Sequence, residues 1–255
     1  WSAEEIENKT GIKQRYLADV DETAEMLAEQ AVSKFDIASL KDVDLIISVS
    51  NTQSIDFPNI SNRIHSFLGL SENVQSKKAL IITSDTYQKF INKDNRSIKT
   101  IFSDGASATL LTKDLETGWC LKNKVVNSQL NSQTFLERKL ANKDSEISMN
   151  GPQVLLFSIN TVAKNLISIC PQDREFILFP HQAGKIVIES LKKKLPSSAI
   201  ILENYQEYGN LVSTSIPKLM EDNLNDYPEN ELMILSGFGV GLSHTSILLE
   251  KNKSL

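Results

Sequence analysis

The chain has 255 residues, 40% hydrophobic and 23% charged, with a formal net charge of −5. That balance suits a folded protein of one large or two small domains and argues against disorder, a fibrous repeat or wholesale nucleic-acid binding. No apolar run approaches the roughly 20 residues of a membrane-spanning helix, and Cys120 and Cys170 form neither a disulfide framework nor a metal-ligand spacing, so the expected setting is a reducing cytoplasm without membrane insertion.

Because the sequence opens on Trp1 and not on methionine, a further strand is expected before it. Residues 22–35 read as a helix, with Ala24, Leu27, Ala28, Ala31 and Val32 near one side. Residues 45–49 are an apolar run with the pattern of a strand covered on both faces. Pro58 precedes a helical segment in which Ile60, Ile64, Phe67 and Leu68 recur at spacings of three and four, ending near Gly69. A buried-type strand follows at 79–83, then the turn Ser103-Asp104-Gly105-Ala106-Ser107 and a strand at 108–111. Such alternation predicts a layered α/β fold.

The second half repeats that order. Residues 176–179 read as a buried strand, and the helix after His181 places Val187, Leu191 and Leu195 on one face, with Ile188 beside them. A further helix is expected at 217–223, preceded by the capping hydroxyls Ser213 and Ser215. Residues 232–235, the glycine turn at 237–241 and residues 243–249 then read as strand, turn and strand. The chain therefore looks like two copies of one unit: a first half at 1–115, a connecting segment at 116–150 and a second half at 151–255. Between Leu70 and the next strand, however, there is no room for the helix that its counterpart carries. Losing such a helix would leave a void far larger than the single-residue cavities that already cost about 3–5 kcal/mol, so an additional segment is expected between Gln75 and Lys78.

Three junctions of the second half stand out because open α/β sheets do chemistry where strands end. They are Pro180-His181-Gln182-Ala183, Gly209-Asn210 with Ser215-Ile216-Pro217, and Gly237-Phe238-Gly239-Val240-Gly241. With Lys9-Thr10-Gly11-Ile12, Asp104-Gly105-Ala106-Ser107-Ala108 and Ser148-Met149-Asn150-Gly151, they are similar, in order, to motifs of the β-ketoacyl-acyl-carrier-protein synthase III family. The resemblance covers most of the chain. It implies a thiolase-like fold, duplicated βαβαβαββ halves in an α-β-α-β-α arrangement. It also implies a decarboxylating Claisen condensation: a cysteine takes an acyl group from acyl-CoA and passes it to the carbanion of malonyl-acyl carrier protein. No cofactor or metal is implied beyond those substrates.

Carried over position by position, the resemblance makes His181 and Asn210 the pair that stabilises the enolate after CO2 is lost, with His181 neutral and donating. Gly239, Val240 and Gly241 become the oxyanion loop, and Lys9, Thr10, Gly151 and Phe238 contact substrate. The family's nucleophilic cysteine begins the helix expected in the added segment between Gln75 and Lys78; Cys120 and Cys170 do not match it and read as packing cysteines. Glu5 stands where the family often has a tryptophan, Lys9 replaces its commoner arginine, and Gly184 replaces an asparagine. A homodimer is implied, joined along the strand that ends near Thr83.

Blander readings stand beside these. His65 and His244 are expected to be structural, and Asp104-Gly105 a tight turn. Asn210 beside Gly209 could shape a turn. Lys192 to Lys194 read as a solvated helix end complementing the dipole, or alternatively as a docking patch for an acidic carrier protein. The glycine loop leads into a strand, which speaks against a dinucleotide site. Two alternatives to condensation remain open: acyl transfer to an oxygen, nitrogen or sulfur nucleophile, and a non-catalytic partner subunit that lacks the cysteine.

Overall fold

Two sheets laid out on one pattern organise the chain. The computed structural model describes residues 1–54, 59–70, 78–113, 118–129, 134–138, 146–226 and 231–252. Pro58 and Gln75 lie outside them. The first sheet has the order β1 (Leu45–Val49), β2 (Lys78–Asp85), β3 (Gly105–Thr112), with β1 parallel and β3 antiparallel to β2. After β4 (Trp119–Ser128) comes a short antiparallel ribbon of β5 (Leu136–Arg138) and β6 (Ile147–Met149). The strands β7 (Phe176–Pro180), β8 (Ala199–Ile201), β9 (Leu232–Gly239) and β10 (Ser243–Lys251) join β4 in a second sheet of order β4-β10-β9-β7-β8.

Within it β7 is parallel to β9 and β10 antiparallel to β9, the arrangement of β1, β2 and β3. The duplication expected from the sequence is therefore present in strand direction. The second sheet adds β8 beside β7 and β4 beside β10. Among the described residues the first sheet has no counterpart of either. Two expectations change as a result. Trp119–Ser128, assigned to the connecting segment, forms an edge strand of the second sheet among the described residues. The strand ending near Thr83 is central because β1 and β3 pair on either side of it, which makes β1 and β3 the edges among the described residues.

Helices Ala24–Val32 and Ile60–Leu68 cover one face of the first sheet. Thr23 and Asn59 cap their starts with side-chain oxygens, and Gly69 closes the second in the left-handed conformation. Their buried stripe, Ala24, Ala28, Val32, Ile60 and Ile64, meets Leu80 and Ile82. The opposite face of β1 is open: Leu45, Ile47 and Val49 are 50%, 43% and 44% exposed, so the strand is not covered on both sides as its sequence suggested. In the second half, helix Ser215–Asn223 supplies the cover, Leu219 packing with Ile177, Phe179 and Met233. No described helix does this for β1. By contrast every residue of β7 is buried, its other face meeting Val187 and Leu191 of helix Lys185–Lys194 and Leu166 of helix Ala163–Ile169.

The N-terminal helix, Ala3–Thr10, is started by a reciprocal Ser2–Glu5 capping box and ended by Gly11 at φ 75°. A Cβ at Gly11 would stand 2.7 Å from Tyr205 Cε2 and 2.9 Å from Lys185 Cβ. Only glycine lets this helix end against the second half, and that brings Lys9 and Thr10 to the site.

Candidate active site

A cavity of about 1340 Å³, larger than the roughly 300–1000 Å³ usual for small-molecule sites, opens where loops following β1, β7, β8 and β9 converge. Its lining includes the apolar side chains of Tyr87, Phe102, Leu136, Met149 and Val154 together with His181 and Asn210. The structure thus brings both expected residues to one cavity. It also brings Lys9, Thr10, Gly151, Phe238, Gly239 and Val240 there. Gly241 follows in the turn to β10.

His181 is fixed from three directions. Its backbone N–H donates to Ser236 O at 2.8 Å, extending the β7–β9 pairing past the strand end. Its ring meets Phe238 edge to face, centroids 5.2 Å apart. The neighbouring Gln182 is buried, donating to Pro180 O at 2.8 Å and accepting from the backbone amides of Asn204 and Tyr205 at 3.0 and 3.2 Å. Sequence reasoning named Gln182 only as part of a motif; its role is to tie the histidine turn to the segment leading to Asn210. Burial pushes the imidazole pKa down to about 4, so the ring is neutral near pH 7 and keeps one N–H to donate.

Asn210 is buried and held by its own backbone, donating to Ile101 O at 2.9 Å while its carbonyl accepts from Ser103 N at 2.9 Å. Its Oδ1 accepts from Val212 N at 2.9 Å, which leaves the Nδ2 donor for a substrate oxygen. Gly209 before it has φ 65°, and a Cβ there would lie 2.9 Å from Ile101 O. Asp104 does more than shape a turn: its buried carboxylate accepts from the amides of Ala18 and Gln88, both at 2.9 Å, anchoring the N-terminal segment beside this loop.

A second polar group was missed. Asp85, at the end of β2, has no exposed surface. Its Oδ1 accepts from Asn51 N at 2.8 Å and Thr52 Oγ1 at 3.3 Å; its Oδ2 accepts from Ser213 Oγ at 2.5 Å and Ser213 N at 3.4 Å. Burial raises its pKa to about 6 against the pull of those bonds. Ser213 therefore does not cap the helix that follows, and Ser215, the other expected cap, has a buried Oγ without a partner. The helix starts at Ser215 with Thr214 as its N-cap residue, whose hydroxyl is engaged with Thr83 Oγ1 at 2.7 Å and Gly105 O at 3.4 Å and makes no cap bond. Between Asn210 and Ser213, Val212 has φ 54°, a conformation that strains a β-branched residue by about 1–3 kcal/mol.

Other candidates fall away from the cavity. Cys120 is exposed on β4, its Sγ 2.9 Å from Asn252 Oδ1, and Cys170 is buried in the second core, its thiol pKa raised to about 11. Neither lines the cavity. The segment expected between Gln75 and Lys78 is not part of the 255-residue sequence, which runs on without a break through 71–77, residues outside those described. His65 is exposed, and His244 is buried with Asn165, Ser236 and Ser246 around its ring nitrogens. Lys192 is paired with Glu189 and Glu203, and Lys194 donates to Ile159 O. Glu5 is engaged in its capping box; Lys9, which does line the cavity, holds its Nζ 3.9 Å from the Trp1 ring centroid.

Comparison with known proteins places the chain in a family. Residues 67–133 match the profile described as 3-Oxoacyl-[acyl-carrier-protein (ACP)] synthase III, and residues 174–251 match that of its C terminal. The chain is 27% identical to the β-ketoacyl-[acyl-carrier-protein] synthase III of Streptococcus agalactiae over 290 residues, 96% of this chain and 90% of that protein. It is also 27% identical to the enzyme of the same name from Clostridium novyi, over 97% of this chain and 90% of that one. The first alignment is longer than the 255 residues of this chain, so the relative carries residues without a counterpart here. A crystal structure of 3-oxoacyl-(acyl carrier protein) synthase III from Pseudomonas aeruginosa superposes with a TM-score of 0.85 over 100% of this chain and 91% of that one, at 24% identity. The fold is the expected thiolase-like one.

Proposed function

Since the chain belongs to the 3-oxoacyl-[acyl-carrier-protein] synthase III family, we propose that it catalyses decarboxylating condensation of an acyl thioester with a malonyl group on acyl carrier protein. The observation that carries the reading is that His181 and Asn210, on two separate turns, both line a single cavity. Loss of CO2 from a malonyl thioester places negative charge on the thioester oxygen, and two preorganised N–H donors stabilise it most where water is excluded. A histidine kept neutral by burial suits that task. Gly239, Val240 and Gly241 supply the backbone oxyanion contacts, and Lys9, Thr10, Gly151 and Phe238 hold the thioester's carrier arm. The acyl group arrives from CoA or from carrier protein, no cofactor takes part, and the protein works as a cytoplasmic homodimer. No described helix is long and apolar enough to cross a membrane.

One observation favours a second reading. Neither cysteine of the chain lines the cavity, so a thiol of this chain does not carry the acyl group there, and a partner subunit that supports a catalytic homologue has the same retained pair. The two readings part on CO2 release from malonyl-carrier protein by this chain alone. Condensation predicts release that falls by about 10²–10³ in Asn210→Ala and similarly in His181→Ala, the scale of losing one oxyanion-type donor. Release equal to background in the wild type supports the partner-subunit reading instead.

A further inference from the structure

We infer that Ser213, with Asp85 as its base, is the acyl-accepting nucleophile of this cavity, so that the acyl group is carried as an oxygen ester. The inference rests on the condensation reading above and supplies the step that reading lacks. Ser213 lines the cavity and is half-buried, whereas Asp85 behind it is sealed from solvent. A serine hydroxyl is a weak nucleophile unless a base stands within hydrogen-bond reach. The 2.5 Å contact from Ser213 Oγ to Asp85 Oδ2 provides one.

Of the other cavity hydroxyls, Thr10, Ser158 and Ser243 donate to the backbone carbonyls of Ile6, Val154 and Val240, and Ser97 donates to Asn95 Oδ1. Asp85 is itself oriented by Asn51 N and Thr52 Oγ1 on its other oxygen, which leaves Oδ2 to Ser213. The carboxylate's raised proton affinity makes it a better base near neutrality than an exposed aspartate. Val212, held at φ 54° between the Asn210 side chain and Ser213, is the kind of strained residue that persists where surrounding contacts over-determine a site.

The chemistry balances with the uptake of one proton, drawn from water. Ser213 Oγ adds to the thioester carbonyl carbon as its proton passes to Asp85 Oδ2. The C–S bond then breaks and the proton moves to the departing thiolate, giving an O-acyl serine, a free thiol and Asp85 as carboxylate again. The carbanion formed at His181 and Asn210 attacks the ester carbonyl, the C–O bond to Ser213 breaks, and the serine oxygen recovers a proton from water.

The test is mass spectrometry of the full chain after incubation with acetyl-CoA or with acetyl-carrier protein. One acetyl adduct is expected on the peptide containing Ser213. It should survive neutral hydroxylamine treatment that cleaves thioesters, persist in a Cys120→Ala/Cys170→Ala double variant and be absent in Ser213→Ala. Ser213→Cys should restore it in a hydroxylamine-labile form. Asp85→Asn should slow its formation by about 10² or more and remove a rise in rate with pH centred near 6. An adduct that survives Ser213→Ala overturns the inference, as does a wild type that forms none. CO2 release by the wild type is followed in the same samples. Release without any adduct sinks this inference and leaves the condensation reading standing; an adduct without release does the reverse.

Discussion

At the scale of single residues, the site depends on backbone positions that admit no side chain. Gly209 combines φ 65° with a carbonyl 2.9 Å from where a Cβ would sit, so alanine there must move the loop that carries Asn210. Gly209→Ala should lower stability by about 1–2 kcal/mol and reduce CO2 release by more than that stability loss explains. Urea denaturation beside the decarboxylation assay checks it; an unchanged rate would show that the loop tolerates the shift. His181 and Asn210 were legible in the sequence because each follows a strand or turn signal in a short motif. Asp85 and Ser213 were not, because they lie 128 positions apart and only packing of the two halves makes them neighbours. The serine read as a helix cap for a sound local reason, and a buried carboxylate outcompeted the helix for it.

At the scale of elements, β1 is the exception to a general match. Its sequence is that of a two-sided buried strand, yet Leu45, Ile47 and Val49 remain open because the described first half has no equivalent of helix Ser215–Asn223. An edge strand with an apolar face is a pairing surface. Ile47→Lys should therefore change monomer stability by less than about 1 kcal/mol, as surface substitutions do, and reduce self-association in size-exclusion chromatography with light scattering. A large loss of stability with unchanged association would mean that this face is covered within the monomer. Local signals served well elsewhere: Thr23, Asn59 and Gly69 cap and end their helices as such residues do. Cover by a distant helix leaves no such local mark.

For the whole molecule, buried titratable groups set the response to acid. Burial holds His181 and His244 neutral, with pKa values near 4 against about 6.5 for an ordinary histidine. Between those values the unfolded chain binds more protons, so the stability each contributes is complete above pH 6.5 and lost as pH falls toward 4. Asp85, raised to about 6, works oppositely: its contribution is complete below about pH 4 and lost as pH rises through 6. Two groups outweigh one, and the fold should be less stable at pH 4.5 than at pH 7 by on the order of 2 kcal/mol. The urea midpoint measured across that range is the check, with His244→Gln flattening the profile and Asp85→Asn steepening it. A midpoint that rises on acidification would contradict the assignment.

Alternating apolar runs and turn residues sufficed for the α/β class, the duplicated order of strands and the two junctions that carry His181 and Asn210, because strand period, glycine turns and caps act over a few residues. Sheet membership of Trp119–Ser128, the central place of β2, the open face of β1 and the meeting of Asp85 with Ser213 emerged only in the folded chain. Each depends on which distant surface removes water from a segment, and a buried carboxylate or an uncovered strand has the same local sequence whichever partner arrives.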